Sequence, residues 1–308
     1  MISIIVTCFN ESEIINDFIL ALNKEIIRIN EKFEIIFVDN KSDDGTLEII
    51  KENVKIFNNY KIISLSNYFG KESGILAGLD NSDGDAIIII DPDLEDPPEL
   101  INDLIEKWKE GYEVVYAKRN KTKLPLYKSI PKKVFYKIFK MSINKEFNIP
   151  PNTGDYRILD KKIKNILISM RERTRFLRGL ISYIGFKQTG IFFDRPLRKK
   201  GKSKSNIGFL IKYGMDALLS STGAPVSIIT KIGIFSLLSI SIFILIVIII
   251  KIFFNPPLGF SLTALFILFL FSFNTLLIGI VGEYVTRIYD EVKTRPNYII
   301  EDIIKKKD

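Results

Sequence analysis

Short apolar runs alternate with amphipathic stretches through the first 120 residues. Residues 2–7, 34–38, 61–65, 86–90 and 113–117 have the apolar, β-branched composition of strands, and 11–29, 45–51, 71–79 and 98–109 have the spacing of helices. A strand-helix-strand series of this kind predicts an α/β fold with a mostly parallel sheet. The pattern changes beyond residue 230. Neither 232–250 nor 260–282 contains a charged residue, and Asn255-Pro-Pro-Leu-Gly259 between them reads as a turn. Each stretch is close to the ~20 residues that a helix needs to cross a bilayer. Together they predict a transmembrane hairpin; two buried helices of a soluble core are disfavoured because neither segment has a polar face.

Charge adds an orientation. Lys and Arg crowd the region before Ile232 and the stretch after Gly282, including Arg287, Lys293, Arg295, Lys305, Lys306 and Lys307, whereas the turn has only Lys251 at its edge. The positive-inside rule then places both termini in the cytoplasm. The opening Met1-Ile-Ser-Ile-Ile-Val lacks the basic start of a signal peptide. The domains expected are a cytoplasmic domain over 1–225, a hairpin over 226–284 and a cytoplasmic C-terminal tail over 285–308. The single Cys8 reads as a small core residue in a reducing compartment. With no histidine among 308 residues, an imidazole base and histidine metal ligands are excluded.

Candidate chemistry gathers where the strands end. The run 86–90 stops abruptly in Asp91-Pro-Asp93-Leu-Glu95-Asp96-Pro-Pro-Glu99, and ligands of open α/β sheets collect beyond the carboxyl ends of strands. Asp91 and Asp93 suit a hard cation, Mg²⁺ or Mn²⁺, with positions left for diphosphate oxygens; the alternative is a solvated acidic turn before a helix capped near Pro97-Pro98. Polar groups also follow the first two strands, in Thr7-Cys8-Phe9-Asn10-Glu11 and in Asp39-Asn40-Lys41-Ser42-Asp43-Asp44-Gly45-Thr46. No Gly-x-Gly-x-x-Gly follows the first strand and no Walker lysine motif occurs, which argues against a dinucleotide site and a P-loop.

Residues 118–145 contain ten Lys and Arg and no acidic residue. Beyond Pro131, Val134, Phe135, Ile138, Phe139 and Met141 fall on one helical face, with Lys132, Lys133, Lys137 and Lys140 opposite. That is a basic amphipathic helix for a membrane surface. A pI near 9.2 raises nucleic acid as a partner, but anionic headgroups beside a membrane anchor already account for the charge. A second basic stretch, Arg195-Pro-Leu-Arg198-Lys-Lys-Gly201-Lys202-Ser203-Lys204, offers phosphate donors on a glycine-containing loop, or else is a juxtamembrane charge cluster.

These motifs, with Asn67-Tyr68-Phe69-Gly70-Lys71-Glu72, Gly154-Asp155-Tyr156-Arg157-Ile158-Leu159-Asp160, Glu172-Arg173-Thr174-Arg175-Phe176-Leu177-Arg178-Gly179, Gly282-Glu283-Tyr284 and Arg287-Ile-Tyr289, occur in one order. In that order the chain resembles the family 2 inverting glycosyltransferases of the GT-A fold, specifically the polyprenyl-phosphate sugar synthases of the bactoprenol glucosyltransferase and dolichol-phosphate mannose synthase type. The resemblance implies a Rossmann-like GT-A domain with interfacial helices at about 120–147 and 204–224, ahead of the paired membrane helices. It implies that Thr7, Phe9, Glu11, Asp39, Lys71, Asp91, Arg198, Ser203 and Lys204 bind the nucleotide sugar. By the same likeness Asp91, Asp93 and Glu95 hold the metal, Arg119 and Lys133 clamp the acceptor phosphate, and Asp155 is the candidate base with Arg157 beside it. Thr7 and Glu95 stand where the family usually has proline and glutamine. A third carboxylate at Glu95 either ligates the metal or shifts metal preference.

The activity implied is transfer of a hexose, with inversion, from a nucleotide sugar to polyprenyl (undecaprenyl) phosphate at the cytoplasmic face of the inner membrane. UDP-glucose is the first choice of donor, ahead of N-acetylhexosamine, aminoarabinose-type or mannose donors. A processive polysaccharide synthase would carry a Gln-x-x-Arg-Trp motif, and the one tryptophan is Trp108 in a surface-type helix. A non-enzymatic membrane scaffold or transport subunit leaves the carboxylates at several strand ends unexplained. Asn274, Thr275, Gly279 and Gly282 permit close helix approach, and related bacterial enzymes are tetrameric, so a homo-oligomer is expected.

Overall fold

In the computed structural model the apolar runs form the centre of one eight-stranded sheet. The structure describes residues 1–120, 150–173, 175–194, 196 and 260–306, with isolated positions between 242 and 253. In chain order the elements are β1 (Ile2–Cys8), α1 (Ile15–Arg28), β2 (Phe33–Asp39), α2 (Thr46–Asn53), β3 (Tyr60–Leu65), α3 (Lys71–Asp80), β4 (Ala86–Ile90), α4 (Ile101–Lys109), β5 (Val114–Arg119), β6 (Thr153–Asp160), α5 (Lys161–Ser169), α6 (Leu177–Ile184), β7 (Gln188–Phe193), α7 (Phe260–Val292) and β8 (Ile300–Lys306). The elements expected before residue 120 are present. The largest shift is in α1, which begins at Ile15 rather than at residue 11. A turn closed by the Ile14 and Ile15 N–H groups on Glu11 O, at 3.0 and 2.9 Å, occupies the intervening residues.

The sheet order is β7-β5-β6-β4-β1-β2-β3-β8. β1 pairs in parallel with β2 and β4, β2 with β3, and β5 with β7. β6 runs antiparallel to β4 and β5. Side chains alternate between the two faces along each strand: Ile4 and Val6 pack with Phe18 of α1, Ile50 of α2 and Leu104 of α4, and Ile5 packs with Ile75 of α3, Leu167 of α5 and Ile181 of α6. A Cβ at Gly78 would sit 2.4 Å from Ile5 Cγ2, so this glycine lets α3 lie directly on β1.

The pairing directions decide where polar residues meet. Parallel β1, β2, β3 and β4 end at one edge of the sheet, as does β5, which is antiparallel to the intervening β6. Because β6 runs the other way, its beginning lies at that same edge. Ile89 pairs with Arg157 and Ile88 with Ile158. Extending that register by two residues sets Asp91 opposite Asp155.

Residues 300–306, part of the stretch expected from sequence as a C-terminal tail, supply the edge strand β8. It pairs antiparallel with β3, Ile62 facing Ile304 and Leu65 facing Ile300. Ser66 N donates to Ile299 O at 3.0 Å, and Lys41 and Glu301 form an exposed ion pair at 2.8 Å.

The starts of β1, β2 and β3, at the far ends of these strands from Asp39 and Asp91, carry a buried polar knot. Ser3 Oγ donates to Glu34 Oε2 at 2.6 Å and accepts from Gly84 N at 2.9 Å. Lys61 Nζ lies 2.7 Å from Glu34 Oε1 and 3.0 Å from Asp83. Ser3→Ala therefore leaves the buried Gly84 amide without its partner, while Glu34 Oε2 keeps its bond from Asp83 N at 3.0 Å. The expected cost is about 1–3 kcal/mol, read as a Tm lower by several degrees in thermal denaturation.

Residues 222–295 form a second unit. The apolar stretch 260–282 is helical as expected, and α7 continues to Val292. Among the described residues it is the one helix long and apolar enough to cross a bilayer, over Phe269–Val292. The partner segment 232–250 and the interfacial helices expected at about 120–147 and 204–224 lie outside the described residues, isolated positions excepted.

Candidate functional site

The loops after β1, β2 and β3 are stitched to one another. Asn10 N donates to Ser42 Oγ at 2.9 Å, Glu11 N to Thr46 Oγ1 at 2.8 Å, and Ser12 N to Asp44 Oδ2 at 3.0 Å. Asn40 bridges onward, its amide donating to Gly70 O at 2.8 Å while its oxygen accepts from Phe69 N at 2.9 Å. Within this frame Phe9 and Tyr68 lie with ring centroids 4.3 Å apart. Thr7 lies under α3; a Cβ at Gly74 would stand 3.3 Å from its Cγ2.

Asp39 ends β2 and is buried. Oδ2 accepts from Ser42 N at 3.1 Å, whereas Oδ1 is buried without a hydrogen-bond partner among the described residues. Burial pushes its carboxyl above the usual range against the bonds from Ser42. A buried acceptor of this kind demands a donor, and an N–H on a planar ligand resting near Phe9 would satisfy it.

Beyond β4, Asp91, Lys71 and Asp155 form a chain of charge. Lys71 Nζ, at the start of α3, sits 2.6 Å from Asp91 Oδ2 and 2.7 Å from Asp155 Oδ2. Arg178 Nε, from the first turn of α6, lies 3.4 Å from Asp155 Oδ1, and its Nη1 donates to Thr153 O at 3.2 Å. Burial alone would raise the Asp155 carboxyl; Lys71, Arg178 and Arg157 outweigh it and hold the group well below the usual carboxylate range. Arg157 is buried and donates to Gly154 O at 2.6 Å and Asp155 O at 3.3 Å, which fixes the backbone that carries Asp155. Asp91 moves the other way, raised by burial and by Asp155 and Asp93, with Lys71 opposing.

Asp96 is buried with Oδ1 3.3 Å from Arg119 Nη2. Burial, then repulsion from Asp91, pushes it up to about 7 against the pull of Arg119. Under it Tyr156 Oη donates to Pro97 O at 3.0 Å. Glu72 accepts from Leu177 N at 3.2 Å and is likewise raised to about 7 by burial and by Asp155, with Arg178 and Lys71 opposing. Asp96, Glu72 and Arg178 were not singled out from sequence. All three lie within motifs that carry the family resemblance, but only the fold brings Glu72 and Arg178 to Asp155.

Asp91, Asp93 and Glu95 do not form a ready three-carboxylate cluster; among the described residues no three Asp, Glu or Cys groups are gathered for an ion. Asp91 is drawn to Lys71, and Asp93 Oδ1 accepts from Glu95 N at 3.1 Å across the positive φ of Leu94. The donor chemistry still fits a hard cation. Asp91, Asp93 and Asp96 repel one another, and a divalent ion relieves that repulsion with carboxylate oxygens while leaving coordination positions for a ligand. Arg198, Ser203, Lys204 and Lys133 lie outside the described residues.

A family model for glycosyl transferase family 2 matches residues 3–167, from β1 into α5. The chain belongs to glycosyl transferase family 2. This glycosyltransferase is 38% identical over 307 residues to an uncharacterized glycosyltransferase of Synechocystis, covering 98% of this chain and 95% of that one. It is 36% identical over 307 residues to the bactoprenol glucosyl transferase of Shigella phage SfV, covering 98% of each. Mannosyl-3-phosphoglycerate synthase from Rubrobacter xylanophilus is similar in structure, with a TM-score of 0.50 at 15% identity over 72% of each chain. That likeness places the sheet and its helices in a GT-A-like α/β fold.

Proposed function

We propose that this family 2 glycosyltransferase moves a hexose from a nucleotide sugar, UDP-glucose first among the candidates, to the phosphate of a membrane-embedded polyprenyl carrier, with inversion at the anomeric carbon. The observation that carries the reading is the match over 98% of each chain to a protein named bactoprenol glucosyl transferase. Asp39 and the Phe9 ring supply an acceptor and a flat surface for a base with an N–H, as in uracil. A divalent cation, Mg²⁺ or Mn²⁺, would be held by Asp91 and Asp93, with Glu95 beside them, and would neutralise charge on the departing diphosphate. Lys71 adds a cation at the same edge. Arg198, Ser203 and Lys204 are assigned to the diphosphate, and Arg119 with Lys133 to the acceptor phosphate.

The nucleophile is a phosphate oxygen. It forms a bond to the anomeric carbon as the bond from that carbon to the diphosphate breaks, and the diphosphate leaves with the nucleoside. A phosphate monoester has a second pKa of about 6 and is mostly dianionic at neutral pH. Asp155, held as a carboxylate between Lys71 and Arg178, acts as an orienting anion.

The membrane reading also draws on connectivity. β7 and β8, which precede and follow residues 222–295 in the chain, belong to one sheet. A segment that starts and ends in one domain crosses a bilayer an even number of times, which supports the paired helices at 232–250 and 260–282 with both ends cytoplasmic. Gly279 and Gly282 leave open space on α7, in keeping with close helix approach in a homo-oligomer.

The test is transfer from a panel of UDP- and GDP-sugars to undecaprenyl phosphate by the purified full chain. Transfer of glucose is the expected result, and no lipid-linked product from any donor overturns the reading. Asp39→Asn turns an acceptor into a donor opposite the base. Loss of a charged hydrogen bond worth about 1.5–3 kcal/mol predicts a donor KM raised roughly tenfold to a hundredfold, checked by initial rates at varied donor concentration.

A further inference from the structure

The segment from Arg171 to Arg178 holds four arginines, and on sequence alone it could pass for a phosphate-binding patch. Three of them face elsewhere. Arg171 grips Asp80 with two bonds of 2.9 and 3.0 Å. Arg173 donates to Pro296 O at 3.2 Å. Arg175 is buried and donates to Met170 O and to Leu167 O, closing the end of α5. Only Arg178 turns to the site, where it meets Asp155.

The outer arginines meet the residues that lead into β8. Asp80, the partner of Arg171, also accepts from Tyr298 Oη at 2.5 Å, and Asn297 donates to Glu172 O at 3.3 Å. At the inner end Leu177 N is held by Glu72, the neighbour of Lys71. The segment is thus pinned by Pro296–Tyr298 on one side and by the start of α3 on the other, with Arg178 directly after the inner pin.

We propose that Arg178 is a positioning residue for the transfer reaction. Its guanidinium orients the Asp155 carboxylate opposite Lys71, and Pro296–Tyr298 keep it in place through Asp80 and Arg171. The return strand from the second unit is then part of what shapes the site. The inference rests on the transfer reaction proposed above.

Orientation of one charged group by another is a matter of geometry, and small displacements of such groups lower the rate without weakening donor binding. Arg178→Ala should lower kcat roughly thirtyfold with the KM for the nucleotide sugar within about threefold, and Arg178→Lys should recover part of that rate. Tyr298→Phe removes one hydroxyl remote from the substrates. It should lower kcat about threefold to tenfold and speed amide hydrogen exchange across 171–178, with donor KM unchanged.

An unchanged kcat in Arg178→Ala, or a raised donor KM at full kcat, overturns the positioning role. Because the lysine variant retains the charge, it decides the matter if the alanine variant fails to fold: donor binding intact with kcat lowered supports the role, and full kcat overturns it. Faster exchange in Tyr298→Phe at full kcat overturns the link to the return strand. A wild-type enzyme that transfers no sugar to polyprenyl phosphate fails the functional reading instead, and the exchange measurement still reports on the contact.

Discussion

Asp93→Asn is expected to lower sugar transfer at least a hundredfold at saturating Mg²⁺ and Mn²⁺ while the Tm stays within a few degrees of wild type. The size follows from the chemistry of the leaving group. A nucleoside diphosphate departs with growing negative charge, and removing one group that stabilises such charge typically costs about 10²- to 10³-fold. Asp93 carries this role with little structural duty, since its one described bond is to the Glu95 N–H. Asparagine keeps that bond through its side-chain oxygen and removes the charge. Asp91→Asn should show a similar loss from a mixed cause, because Asp91 is also the 2.6 Å partner of Lys71. More than a tenth of wild-type activity in either variant would falsify the metal assignment. Glu95→Gln, the residue the family usually carries, should retain most activity and change the ratio of rates with Mg²⁺ and Mn²⁺.

The contrast between these carboxylates shows what a sequence displays and what it conceals. A strand covered on both faces is apolar through most of its length, so β1, β2, β3 and β4 stand out as runs, and the polar residues that end them mark the edge of the candidate site. Asp39 and Asp91 stand out as strand-end carboxylates for that reason. β6 does not stand out, because Thr-Gly-Asp-Tyr-Arg opens it with polar groups on that edge and only Ile158 and Leu159 look like a strand. β8 was hidden by its position. An edge strand with one side in water tolerates Glu301, Asp302, Lys305 and Lys306, a composition that reads as a charged tail. Its pairing with β3 depends on a chain return across more than 200 residues, which no local pattern encodes. The grouping of Asp91, Lys71, Asp155 and Arg178 was hidden for the same reason: it requires the antiparallel register of β6 and the docking of α6, both set by tertiary packing.

Asp155→Asn is expected to lower transfer about a hundredfold by a factor that is level across the alkaline end of a profile run from pH 6 to 9, which separates an orienting carboxylate from a general base. A base must exchange a proton in the range where it works, and its removal is partly cured by hydroxide as pH rises. Asp155 is poorly suited to that task. Lys71 at 2.7 Å and Arg178 at 3.4 Å, with Arg157 close by, hold its carboxyl far below neutral pH, so it stays ionised across the whole assay range and is a weak proton acceptor. The proposed nucleophile has no need of one either, since a phosphate monoester with a second pKa of about 6 is already ionised. What asparagine removes is the charge between two cations, and Lys71 and Arg178 then lose the anion that sets their positions. The comparison must be made as a ratio of variant to wild type at each pH. Glu72 and Asp96 are both raised to about 7, mainly by burial, and their titration bends the wild-type profile in the same range. The Asp96 bend is common to both enzymes and cancels in the ratio. Glu72 titrates lower in the variant because the Asp155 charge helps to raise it, so the ratio steps near pH 7 and is decisive from pH 8 to 9. A ratio that is level from pH 8 to 9 supports orientation. A deficit that shrinks tenfold per pH unit makes Asp155 the base and overturns its reading as an anchor.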